Sequence, residues 1–151
     1  MAKTWIVGIG SFYANDHIGL DVTQYLEQQY QQTLAANDIY FFTTNAPHEL
    51  LALMAVHKDK NIQRLYVIDA LQETDCAENI NLYSLEDLQA VRQKTSGHIA
   101  GLQESLQLIQ CLYFPALSIR IIGIPVTLAV CGQNSFEQLS KTISHLINTT
   151  S

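Results

Sequence analysis

The segment Arg64 to Ala70 reads Arg-Leu-Tyr-Val-Ile-Asp-Ala, and it constrains the fold more than any other stretch of the chain. A strand that is apolar at successive positions has no face left for water. That pattern belongs to a parallel strand covered by helices on both sides. The run ends at Asp69, whose ionised carboxylate is costly to bury unless it is paired, hydrogen-bonded or metal-bound.

The rest of the chain alternates between strand-like and helix-like segments. Thr4 to Gly8 is a short β-branched and aromatic run that exits through Ile9-Gly10-Ser11. From Ile18 the apolar residues Ile18, Val22, Tyr25 and Leu26 recur at helical spacing, with Asn15 or Asp16 placed to cap the helix. Ile39 to Phe42 follows the Asn37-Asp38 turn as a second strand, and Pro47 opens a helix through Leu50, Leu51 and Met54. Ile80 to Leu85 is a further, weaker strand signal. His98 begins a helix through Leu102, Leu106 and Ile109, Ser118 to Ile124 is a strong strand, and Ser135 to Ile147 is an amphipathic closing helix. Alternation of this kind predicts an α/β fold: a mostly parallel, twisted sheet of about five strands with helices on both faces, in one domain over residues 1–151.

Composition narrows the function. Hydrophobic residues make up 48% of the 151, against 15% charged, which excludes a disordered chain. Eight basic residues stand against 14 acidic ones, with no basic run able to track a phosphate backbone, so no nucleic-acid partner is expected. No apolar stretch reaches the roughly 18 residues of a membrane span, and Met1 to Gly10 lacks the pattern of a signal peptide. Cys76, Cys111 and Cys131 are odd in number and lack Cys-x-x-Cys spacing; two sit in apolar surroundings, where a free thiol packs as a small hydrophobe. A cytoplasmic protein without a cysteine zinc site is the expectation.

Ligand sites of open α/β sheets gather beyond the carboxyl ends of the strands. The polar residues placed there are Asp16 after the first strand, Asp69 at the end of the central strand, and His98 after the turn-like Thr95-Ser96-Gly97. Two carboxylates and an imidazole with open coordination positions suit a divalent transition metal such as nickel or zinc. Each has a plain structural reading as well: Asp16 as a helix cap, Asp69 as an acceptor of backbone hydrogen bonds, His98 as a capping or surface residue. His17 reads as a bystander beside Asp16, and His48, His57 and His145 as solvated. Gly8-Ile9-Gly10 lacks the third glycine of a dinucleotide fingerprint and the Lys-Ser/Thr of a phosphate loop. These glycines read instead as allowing a tight turn and close helix approach.

Taken in order, several short motifs resemble the hydrogenase maturation proteases. They are Gly8-Ile9-Gly10, Asp16-His17-Ile18-Gly19, Tyr25-Leu26-Glu27-Gln28-Gln29-Tyr30, Ile68-Asp69-Ala70, Ser96-Gly97-His98 with Gly101-Leu102, and Phe114-Pro115 leading to Ile121-Ile122-Gly123-Ile124-Pro125. The resemblance runs from about Ile6 to Asn148. It implies an aspartic-type, nickel-dependent endopeptidase that removes the C-terminal extension of a nickel–iron hydrogenase large-subunit precursor after nickel insertion. It also implies that Asp16, Asp69 and His98 are the metal-binding and catalytic residues. The nickel would be supplied by the substrate, with no organic cofactor, and would polarise a carbonyl or supply a bound hydroxide. One departure lies at the second strand, where the family's Asp-Gly-Gly-Thr is replaced by Phe42-Thr43-Thr44-Asn45. It leaves open an alternative, a diverged non-catalytic module that binds a metalloenzyme precursor.

Overall fold

The computed structural model describes residues 3–10, 18–31, 39–71, 81–88, 98–125 and 133–149. Its elements are β1 (Lys3–Ile9), α1 (Ile18–Gln31), β2 (Ile39–Thr44), α2 (Pro47–Val56), β3 (Ile62–Leu71), β4 (Asn81–Ser84), α3 (His98–Leu112), β5 (Ser118–Pro125) and α4 (Gln133–Thr149). The strands form a single sheet in the order β2-β1-β3-β5-β4. Every pairing is parallel except β4 with β5. The expected α/β class and strand number hold, and the weak signal at Ile80 to Leu85 is the antiparallel edge strand.

Period-two alternation along the strands separates two apolar layers. Trp5, Val7 and Ile9 of β1, Leu65 and Val67 of β3, and Ile119 and Ile121 of β5 join Leu50 and Met54 of α2 and Leu102, Leu106 and Ile109 of α3. Ile6, Tyr66, Ile68, Ile122 and Ile124 face the other way, onto Val22 and Leu26 of α1 and Ile143 and Ile147 of α4. Helices therefore cover both faces, which is why Leu65 to Ile68 carries no polar position; all four residues are buried.

Helix α1 comes unusually close to the sheet because glycine permits it. A β-carbon at Gly8 would collide with Thr23 and the Gly19 carbonyl, and one at Gly19 would run into the carbonyl oxygens of Ile9 and Ile68. Thr23 Oγ1 donates to the Gly19 carbonyl at 2.7 Å, which gives the buried hydroxyl an acceptor within its own helix. The glycines expected to allow close helix approach do so.

Two readings of single residues change. His57 is half-buried rather than solvated. Its ring meets Trp5 edge-on at 4.9 Å between centroids, lies 5.8 Å from Phe42, and donates from Nδ1 to the Leu53 carbonyl at 2.9 Å. It closes the end of α2 over the Trp5–Phe42 pair. Cys111 is exposed rather than packed, on the outer side of α3 between the exposed Leu108 and Leu112. Cys76 and Cys131 lie outside the described residues. Among the described residues no helix is long and apolar enough to cross a membrane.

Two glycine substitutions are expected to have opposite signs. In Gly19→Ala the new methyl meets backbone oxygens that cannot give way, and a loss of about 1–3 kcal/mol or more is expected. In Gly101→Ala the methyl meets Pro47 at 3.9 Å, an ordinary contact, so helix propensity should add up to about 1 kcal/mol. Urea unfolding of both variants measures the contrast.

Candidate functional site

The strand order reverses direction about β1, since β2 follows it on one side and β3 lies on the other. In sheets of this kind the crevice for ligands lies outside the carboxyl ends of those two strands. The register defines which residues stand at that edge. Ile9 is level with Thr44, Gly8 with Ile68, Asp69 with Gly123, and Gly123 with Asn81. A row thus crosses the sheet as Thr44, Ile9, Asp69, Gly123 and Asn81.

Asp69 continues the alternation of Leu65 and Val67, so it belongs to the face covered by α2 and α3, and it is wholly buried. On the neighbouring strand the level residue is Gly123, which places no side chain beside the carboxylate. Asp69 is the single acidic residue among the buried described residues, set at the end of the most apolar strand. Asp is seldom fully buried, and buried ionisable groups cluster at functional sites.

Helix α3 brings His98 to the same edge. Its buried stripe Leu102, Leu106 and Ile109 packs on the face that Asp69 shares. Leu112 is joined to the start of β5 by only five residues, Tyr113 to Leu117, so α3 ends at the amino end of the parallel strands. Fifteen helical residues span about 22 Å, which carries His98 back to the carboxyl end. Helix α2 begins there too: the Gly101 position on α3 lies beside Pro47, the first residue of α2. The first turn of α2 has no side-chain cap, while Glu49 Oε2 accepts the Asn45 N–H at 2.7 Å.

The structure therefore places Asp69 and the first residue of α3, His98, at one edge and on one face. Asp16 and His17 lie outside the described residues, immediately before α1 begins at Ile18. Among the described residues no group of three His, Cys, Asp or Glu side chains could hold a metal ion. His48 and His145 are exposed, as expected. Sequence reasoning passed over Thr44. It is buried on the α2 side of the same row, and its Oγ1 has no hydrogen-bond partner among the described residues. Its only signal was its position at the end of β2, within the segment that departs from the family motif.

No protein-family model and no curated protein matches the chain by sequence. Its structure is similar to solved ones over nearly its whole length. An endopeptidase from Escherichia coli has a TM-score of 0.71 at 18% identity, covering 99% of this chain and 94% of that one. A NiFe hydrogenase maturation protease, HycI from Thermococcus kodakarensis KOD1, has a TM-score of 0.64 at 17% identity, covering 97% and 93%. A hydrogenase 3 maturation protease follows at 0.57 and 11% identity, covering 93% and 88%. The fold is that of the hydrogenase maturation proteases, as the motifs led one to expect.

A buried hydroxyl without a partner costs about 1–3 kcal/mol. Thr44→Val keeps the shape and removes the hydroxyl, so it should raise stability by about 1 kcal/mol, whereas Thr44→Ser should not. Denaturant midpoints compared at equal slope decide this; a destabilised Val variant would show that the hydroxyl is used in the free protein.

Proposed function

We propose that this chain is a cytoplasmic endopeptidase of the hydrogenase maturation protease family. It removes the C-terminal extension of a nickel–iron hydrogenase large-subunit precursor once nickel is in place, and it reads that nickel with Asp16, Asp69 and His98. One observation carries the reading: a fully buried acidic residue lies near the end of the central strand, on the face where α3 begins with His98. The solved proteins of this fold that are named as endopeptidases and maturation proteases support it.

Nickel here is part of the substrate rather than a resident cofactor. Carboxylate oxygen and imidazole nitrogen are a donor set that first-row divalent ions accept, and open positions would remain for the substrate's own ligands. An ion shared between precursor and protein can polarise the scissile carbonyl, so no serine or cysteine nucleophile is needed. Burial of Asp69 strengthens its attraction for a cation, because little water competes for the charge.

One observation favours the second reading, a module that binds the precursor without cleaving it. Phe42 is committed to packing, 4.3 Å from Trp5 between ring centroids, at the strand end where the family carries its acidic motif. That reading requires binding with no release of peptide.

Single variants Asp16→Ala, Asp69→Ala and His98→Ala separate the two. With a nickel-loaded precursor, each should slow release of the C-terminal peptide by about a hundredfold or more while the circular dichroism spectrum is kept. Peptide release is followed by mass spectrometry. Undiminished cleavage by Asp69→Ala contradicts the proposal, and binding without release by the unaltered protein favours the non-catalytic module.

A further inference from the structure

The last residue of β2 is held on both sides, yet its side-chain hydroxyl is left unused. The Gly10 N–H donates to the Thr44 carbonyl at 3.1 Å, at the end of the ladder between β1 and β2. The following N–H, that of Asn45, donates to Glu49 Oε2 at 2.7 Å. The backbone around Thr44 is therefore tied down. A β-branched side chain is stiff about χ1, so a fixed backbone also restricts where the hydroxyl can stand. Thr44 is 6% exposed, and its Oγ1 has no hydrogen-bond partner among the described residues.

The hydroxyl does not serve the carboxylate of Asp69. Thr44 is level with Ile9 of β1, and β1 lies between β2 and β3. Two strand spacings, about 10 Å, thus separate Thr44 from Asp69, with the fully buried Ile9 between them. Thr44 follows Phe42 in the alternation of β2, which puts it on the face covered by α2 and α3, the face of Asp69. The edge therefore carries two separate polar groups at one level and on one side of the sheet, one acidic and one neutral. A neutral hydroxyl both donates and accepts, and so matches a peptide group on either its N–H or its carbonyl side.

We propose that Thr44 is a substrate-binding residue, whose hydroxyl hydrogen-bonds a main-chain amide of the precursor. An extended chain advances about 3.3 Å per residue, so that amide lies about three residues from the residue engaged at Asp69. The inference rests on the endopeptidase reading above and specifies which part of the substrate this edge holds. Both groups are covered in the free protein, so one opening of the edge admits the segment to both. The hydrogen bond forms on binding and persists through cleavage, so it contributes to affinity and leaves the chemical step alone. A hydroxyl unsatisfied in the free protein and satisfied in the complex favours the bound form.

Thr44→Val and Thr44→Ser test this in the full chain, with nickel-loaded precursor as the probe. Thr44→Val should raise KM for release of the C-terminal peptide about fivefold or more and leave kcat within about twofold, while its urea midpoint rises. A residue that only shaped the fold would lose binding and stability together. Thr44→Ser keeps the hydroxyl and should hold KM within about twofold of the unaltered protein. An unchanged KM in Thr44→Val, or a lowered urea midpoint, overturns the contact and leaves the protease reading intact. Affinity for the loaded precursor is measured alongside by surface plasmon resonance. If the unaltered protein binds without cleaving, an affinity about fivefold weaker in Thr44→Val upholds the contact and overturns the protease reading. Equal affinity in that case overturns both, as does the absence of any binding.

Discussion

The contact between α1 and the ends of β1 and β3 is the constraint on which the rest of this molecule depends. Gly8 and Gly19 have no room for a β-carbon: one faces Thr23 and the Gly19 carbonyl, the other the carbonyls of Ile9 and Ile68. Backbone therefore lies on backbone at the point where the sheet reverses its winding. Two consequences follow from this closeness. The start of α1 is pinned at the carboxyl edge of the central strands, and Asp16 precedes the helix by two residues in the sequence. A side chain at either glycine would push α1 outward and open the layer formed by Ile6, Val22, Leu26 and Ile68.

With α1 fixed on one face, α2 and α3 complete the other, and both begin at the same carboxyl edge. The edge combines features that seldom occur together in a structural core. Asp69 is fully buried, Gly123 beside it offers no side chain, and Thr44 in the same row keeps a buried hydroxyl without a partner among the described residues. The unpartnered hydroxyl costs stability in the free protein. A buried acid and such a hydroxyl at the end of the strands where α/β sheets bind ligands fit a site kept for function.

Much of this was legible in the sequence, for physical reasons that differ from element to element. The strand Leu65 to Ile68 announced itself because burial on both faces removes every polar position. Helix α3 was readable from Leu102, Leu106 and Ile109, whose spacing matches one buried face. Strand β4 was faint because it is four residues long and antiparallel at an edge, so neither face demands a continuous apolar run. Single residues were harder. Nothing local distinguishes His57, which packs on Trp5 and Phe42, from His48, which is exposed. Cys111 sits among apolar neighbours in sequence, yet the helix turns it outward. The Thr44 row depends on strand register, which pairing partners far apart in sequence set.

The central claim is that this edge of the sheet reads nickel on a protein substrate and then permits cleavage. The most direct measurement incubates the unaltered protein with the same hydrogenase large-subunit precursor in nickel-loaded and nickel-free forms, and weighs the products by mass spectrometry. The account predicts that the C-terminal peptide is released from the loaded precursor alone. Equal release from both forms, or release from neither, would contradict it.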